Sequence, residues 1–406
     1  MKTWKKRGLS LLLSLTLMTV LAACGEKPAE TKAPESTTEA AAETTAEAPT
    51  EATTEATTEA VTEAPTKAAP VKPEKTGHVA ADITGLLAHS KIWGRTMKEQ
   101  GMLSLDWPAS GVEFNAWFTG TELTVKCSVT STSEAITVHV DGAEAGKTFL
   151  SPKEAELTVS LTEGYHNIRI LKESITSDQR ISLKAVEFDG AFMDTPEEKD
   201  LYIEVIGDSY ACGSGSVGVF TFGKAWTKAD HSTTHSFAWY LGEKLDADLS
   251  VVARGGIGVI KEGGGFNMRQ IYRYNAGLRL RTEETTFKPT RTPDIVILEL
   301  GANDGSAQQA DYREGLKEMI GQIRELYGKE PWIVWAGRNA AQLESWKLVM
   351  KQLPEDTKLS FASYFFSGKG AAALSTQSAG HPDAAEAQVM ADSIIKALEK
   401  NGVLTK

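Results

Sequence analysis

The sequence is poor in cysteine, poor in histidine and nearly free of long apolar runs. Three cysteines in 406 residues exclude a disulfide scaffold and a cysteine-only zinc cage. Positive charge is also short: 43 Lys and Arg stand against 54 Asp and Glu, for a net charge of −11. An acidic chain repels phosphate backbones, and no basic patch offsets this, so no nucleic-acid partner is expected. Only one apolar stretch approaches membrane-spanning length, at the extreme N-terminus, which excludes a polytopic membrane protein. No cluster of His and carboxylates has ligand spacing, so no metal is expected, and no motif calls for another cofactor.

What is present divides into unlike segments. Residues 1–23 carry Lys2, Lys5, Lys6 and Arg7 ahead of a Leu-rich stretch from Leu9 to Val20, the pattern of a secretory signal peptide. The segment ends in Leu21-Ala22-Ala23-Cys24-Gly25, which resembles a bacterial lipobox. The resemblance implies that Cys24 is lipidated and anchors the protein to the extracellular face of the cell membrane, its only membrane contact. Residues 24–76 hold 11 Glu and 5 Lys and repeat Thr-Thr-Glu-Ala with interspersed Pro. Such a composition cannot bury enough surface to offset chain entropy, so a disordered linker is expected. About 50 residues of random coil span roughly 40 Å.

From 77 to 196 the pattern alternates with period two. Val112–Phe118, Leu123–Cys127, Ile136–Val140, Glu156–Leu161, His166–Leu171 and Ile181–Phe188 all read as strands. Thr119-Gly120-Thr121 reads as a turn, and Asp141-Gly142 as a hairpin turn. Closely spaced strands with no helix between them predict a β-sandwich of the jelly-roll type. Trp93, Trp107 and Trp117 fit either a sugar-stacking face or the core and interdomain seam, and the second reading is preferred. Cys127 falls in a strand and reads as buried.

From 197 to 406 strands and helices alternate. Strands are expected at 201–206, 249–253, 294–300, 332–336 and 359–362, and helices at about 232–245, 310–327, 342–352 and 384–398. This predicts a three-layer α/β domain, an open parallel sheet with helices on both faces. Chemistry in such sheets gathers at the carboxyl ends of the strands. Those ends carry Gly207-Asp208-Ser209, Gly255-Gly256-Ile257-Gly258 and Gly301-Ala302-Asn303-Asp304, and Gly380-His381-Pro382-Asp383 precedes the last helix.

Four such blocks in this order resemble the SGNH hydrolases, also called GDSL esterases. With a β-sandwich in front, residues 78–404 resemble carbohydrate esterase family 2, whose members remove acetyl groups from plant-type polysaccharides. The resemblance implies a serine carbohydrate esterase that deacetylates a xylan- or glucomannan-type polysaccharide or oligosaccharide. Alternatives are an esterase for another ester, on a bacterial surface glycan or a lipid, and a catalytically weak sugar-binding surface protein.

A serine hydroxyl needs an adjacent base. Ser209, on a turn directly after a strand, is the candidate nucleophile. Of seven histidines, His381 sits on a loop fixed by Pro382 and is the candidate general base and acid. The oxyanion needs preorganised donors; the candidates are the N–H of Ser209, the N–H of Gly256, with Gly255 as rival, and the side-chain amide of Asn303. The third triad position departs from the wider superfamily's pattern, because Ser378 stands three residues before His381 where an Asp is usual. A Ser–His dyad is expected, with a backbone carbonyl or Ser378 accepting the Nδ1 proton. Asp383 and Asp304 are the carboxylate alternatives. Asp208 is expected to brace the turn's backbone. Cys212 is expected buried in a helix after the nucleophile. Trp226, Trp335, Tyr364 and Phe365 are candidates for a sugar platform.

Overall fold

The structure, a computed structural model, describes residues 69–129, 135–152, 155–173, 181–219, 226–305, 308–364 and 380–405. The signal segment, Cys24, most of the linker, Phe365 and Ser378 lie outside the described residues. Among the described residues no helix is long and apolar enough to cross a membrane. None of their His, Cys, Asp and Glu groups is placed to hold a metal ion.

The first domain is one antiparallel sheet of ten strands that folds over on itself. In chain order these are β1 (Gly77–Asp82), β2 (Ser90–Trp93), β3 (Thr96–Glu99), β4 (Met102–Leu105), β5 (Gly111–Val129), β6 (Ala135–Val140), β7 (Ala143–Phe149), β8 (Glu156–Ser160), β9 (Gly164–Glu173) and β10 (Ile181–Phe192). A single turn of helix, α1 (Ile83–Leu87), follows β1; Asp82 caps it by accepting from the Gly85 N–H at 2.9 Å. No helix was expected there, because five residues are too few for a readable 3.6-residue period.

The expected turn at Thr119–Thr121 lies inside β5, a single strand of 19 residues. The first half of β5 pairs with β9 and the second with β8, so the chain bends and changes partner where the turn residues sit. Its long partner β10 carries a register shift between Phe188 and Gly190 at the same level. Such bulges let a long strand bend into a second layer. Val112, Phe114, Phe118, Leu123 and Val125 then point into one core with Ile168, Ile170, Val186 and Phe188. Asp141 and Gly142 take φ of 51° and 83°, the left-handed pair that a tight hairpin between β6 and β7 requires.

The second domain has a five-stranded sheet in the order β12-β11-β13-β14-β15, all parallel. The strands are β11 (Leu201–Gly207), β12 (Ala247–Ala253), β13 (Ile295–Glu299), β14 (Trp332–Gly337) and β15 (Leu359–Ser363). The helices are α2 (Phe237–Lys244), the one-turn α3 (Met268–Ile271), α4 (Gln309–Tyr327), α5 (Ala340–Gln352) and α6 (Ala384–Lys400). Alternate residues of each strand face opposite layers. Ile203 and Val205 pack with α2 and α6, whereas Ile206 packs with α4 and α5. In this strand order the connections change direction around β11 and open a crevice beyond its carboxyl end.

Of the three tryptophans of the first domain that could have formed a sugar face, Trp93 and Trp107 are packed instead, and Trp117 stands half-buried on β5. Trp107 is fully buried and its Nε1 donates to the Tyr274 carbonyl at 3.1 Å. The Trp93 ring lies 5.8 Å from that of Trp239 of α2, tilted by 33°. Between the domains Arg95 and Glu204 form a fully buried ion pair at 2.9 Å.

Candidate active site

Gly207 ends β11, and a Cβ there would lie 2.6 Å from the Cβ of Ala211, so the chain can fold back this tightly only on glycine. The turn is held by Asp208, whose Oδ1 accepts from the Tyr210 N–H at 3.1 Å. The chain runs on in turns to Val217, not in the expected helix. Gly213 and Gly215 take φ of 69° and 74°, and a Cβ on Gly213 would meet the Ser232 carbonyl oxygen at 1.9 Å. Cys212 is buried within these turns, where burial pushes its thiol well up and leaves it unreactive.

Ser209 projects from this turn, with its Oγ 2.8 Å from His381 Nε2. Two residues, 172 apart in sequence, meet because β11 and the loop before α6 converge at one end of the sheet. His381 is held edge-to-face between two rings: Tyr210 at 5.2 Å and Trp226 at 4.9 Å between centroids. Such pairs fix ring orientation as well as burying surface.

Asp383, expected as a possible orienting carboxylate, is the N-cap of α6. Its Oδ1 accepts from the Glu386 N–H at 2.9 Å, and Glu386 accepts from the Asp383 N–H at 3.1 Å, a capping box. Asp304 is likewise committed elsewhere: it accepts from the N–H groups of Val259, Ile260 and Lys261 at 2.8, 2.9 and 2.8 Å. It thereby locks the loop after β12 onto the loop after β13.

The oxyanion candidates stand on the same edge. The Arg254 N–H donates to the Gly207 carbonyl at 3.4 Å, so the Gly255-Gly256 loop and Ser209 leave adjacent strands side by side. Gly256 takes a φ of 76° with open space where a Cβ would stand. Asn303 Nδ2 donates to Asp208 Oδ2 at 3.0 Å and to the Ile257 carbonyl at 2.8 Å. Both amide hydrogens are engaged, so a substrate oxyanion takes the first of them in competition with Asp208.

Burial dominates the electrostatics. Asp208 and Glu299 are both buried and their charges repel. Burial first raises both carboxyls above the usual range; the Asp304 charge adds to it at Asp208 and the Asp208 charge adds to it at Glu299, and the Arg338 guanidinium pulls each back only in part. Glu299 accepts from the Tyr364 hydroxyl at 2.9 Å. The expected sugar platform is therefore corrected: Tyr364 and Trp335 are 2 % and 1 % exposed. Trp335 donates to the Leu300 carbonyl at 3.3 Å, and neither ring can meet a sugar. Trp226 remains half-buried beside His381. His231 accepts from the Gly215 N–H on Nδ1 at 3.0 Å. Sequence reasoning missed Tyr210, Glu299 and Arg338. Tyr210, directly after the nucleophile, carried the readable signal.

Comparison with known proteins agrees with this geometry. Residues 92–196 match the carbohydrate esterase 2 N-terminal family, and residues 205–385 match the GDSL-like lipase/acylhydrolase family. Among curated proteins none matches the sequence. Solved structures with the same fold include an acetyl xylan esterase from the rumen bacterium Butyrivibrio proteoclasticus (20 % identity, TM-score 0.69, covering 81 % of this chain and 100 % of that one). A family two carbohydrate esterase from Clostridium thermocellum in complex with cellohexaose also matches (22 %, 0.67, 78 % and 100 %). So does a family two carbohydrate esterase from Cellvibrio japonicus (20 %, 0.67, 80 % and 98 %).

Proposed function

For a chain built as a family 2 carbohydrate esterase, with a GDSL-like catalytic domain behind the family's N-terminal domain, we propose the removal of O-acetyl groups from a xylan- or glucomannan-type polysaccharide. The observation that carries this reading is the 2.8 Å contact between Ser209 Oγ and His381 Nε2 at the strand end where the glycine loop and Asn303 converge. His381 takes the hydroxyl proton as Ser209 attacks the acetyl carbonyl carbon. The oxyanion is met by the N–H groups of Ser209 and Gly256 and by Asn303. Collapse returns the proton to the departing sugar oxygen and leaves acetyl-Ser209, which water then hydrolyses with His381 again as base.

With Asp383 capping α6 and Asp304 gathering three backbone N–H groups, the reading is a Ser–His dyad oriented by backbone and by the rings around it. Export through the signal segment and a lipid on Cys24 would place the enzyme outside the cell on a roughly 40 Å tether. The test is acetate release from acetylated xylan, acetylated glucomannan and O-acetylated peptidoglycan, with Ser209→Ala as control. Release from the plant-type substrates supports the proposal. Release from peptidoglycan alone moves the substrate to a bacterial surface glycan. Sugar binding without release makes the protein a binding module.

A further inference from the structure

The described part of the loop that carries His381, residues 380–383, is held at both ends by the turns that follow Ser209. At its start the Tyr210 hydroxyl donates to the Gly380 carbonyl at 3.0 Å. At its end the Ala384 N–H donates to the Ser216 carbonyl at 2.9 Å. Gly380 directly precedes His381 and takes a φ of 82°, a left-handed conformation that glycine adopts without strain. The Tyr210 hydroxyl is itself held from behind, because Arg338 Nη2 donates to it at 3.0 Å. Arg338 follows β14, a strand remote from both catalytic residues in sequence. The Tyr210 ring also forms one wall of the imidazole, 5.2 Å away and tilted 69°.

One side chain thus adjoins the nucleophile covalently, supports the backbone of the base by hydrogen bond and limits its ring by contact. We propose that Tyr210, held by Arg338, is a positioning residue that fixes His381 at attacking distance from Ser209. The relay Arg338–Tyr210–Gly380 does not touch Nδ1, so it sets where the imidazole stands and not which nitrogen carries the proton. It does by backbone support part of what a triad carboxylate does by direct contact. A hydrogen bond to a loop carbonyl is made equally with and without substrate. Its loss therefore acts on proton transfer within the bound complex and not on substrate affinity.

This inference rests on the esterase reading, and its test separates the two. Hydrolysis of 4-nitrophenyl acetate is measured for wild type, Ser209→Ala, Tyr210→Phe, Tyr210→Leu, Arg338→Gln and the Tyr210→Phe/Arg338→Gln double variant, with thermal midpoints for each. Tyr210→Phe keeps the ring wall and loses only the hydroxyl. The expected result is a fall in kcat of about tenfold with KM within twofold and the fold intact, the effect of one hydrogen bond that holds a reacting group. Tyr210→Leu, which removes the wall as well, falls further. Arg338→Gln costs less in the Tyr210→Phe background than it does alone, because the part that acts through the hydroxyl is already gone and only its pull on Asp208 and Glu299 remains. Full kcat in Tyr210→Phe, a loss confined to KM, or losses that multiply independently would each overturn the proposal. An inactive wild type would instead overturn the esterase reading, and this inference with it.

Discussion

Two carboxylates four residues apart, one on β11 and one just past its end, live under opposite conditions. Glu204, in mid-strand, is fully buried and fully answered. Arg95 donates to it through Nε at 3.1 Å and Nη2 at 2.9 Å, and the Tyr272 and Tyr327 hydroxyls donate at 2.8 and 3.1 Å. Asp208, beyond the strand's end, is equally buried but stands among other acids: the Asp304 charge acts on it and its own charge acts on Glu299, with Arg338 as a shared cation. Charge is compensated where the two domains are joined and left crowded beside Ser209. Uncompensated titratable groups in a crevice are the electrostatic mark of a working site.

The largest effect is expected at the end of the strand and leaves its middle untouched. Ser209→Ala should cut kcat for 4-nitrophenyl acetate by about 10⁴-fold or more with an unchanged thermal midpoint. Mid-strand, the effect should be reversed. Arg95→Met strands a buried carboxylate and should lower unfolding free energy by about 3–5 kcal/mol, read by urea titration, while kcat at a permissive temperature stays near wild type. Loss of activity without loss of stability in that variant would break the comparison.

A smaller effect is expected at the base of the helix that follows His381. Asp383→Ala removes a helix cap and should cost about 1 kcal/mol with kcat within tenfold of wild type. A kcat loss near 10⁴-fold would instead make Asp383 the third triad member. The smallest effect sharpens the pH side. Glu299 titrates above its unfolded value, so its folded form is favoured while protonated. Stability from this group is fully present below the unfolded carboxylate range of about 4.3 and is lost as pH rises toward the folded pKa. Glu299→Gln keeps an acceptor for Tyr364 and should flatten the decline of thermal midpoint on the alkaline side.

Much of this was legible in the chain. The five buried strands of the second domain appear as short apolar runs, and the glycines and polar residues just past them announce which ends are chemical. Ser209, His381, Gly256 and Asn303 could be named because each sits next to such a punctuation mark. The bend in β5 could not be read, because Thr119-Gly120-Thr121 is turn-like in composition and only its pairing with β8, β9 and β10 shows the strand passing through. The roles of Asp383 and Asp304 were equally hidden. A carboxylate near a catalytic loop looks the same in sequence whether it orients an imidazole, caps a helix or gathers three backbone N–H groups. Tyr364 and Trp335 look like sugar-stacking rings until their hydrogen bonds to Glu299 and Leu300 show them packed beneath the site.

The central claim is that Ser209 accepts the acyl group and His381 moves its proton. Acid-quenched samples taken during turnover of 4-nitrophenyl acetate, digested and analysed by mass spectrometry, test it directly. One acetyl group on the peptide containing Ser209 during wild-type turnover, absent from Ser209→Ala and formed far more slowly in His381→Ala, is the predicted result. Turnover with no adduct on that peptide, or an acetyl group on another residue, would contradict it.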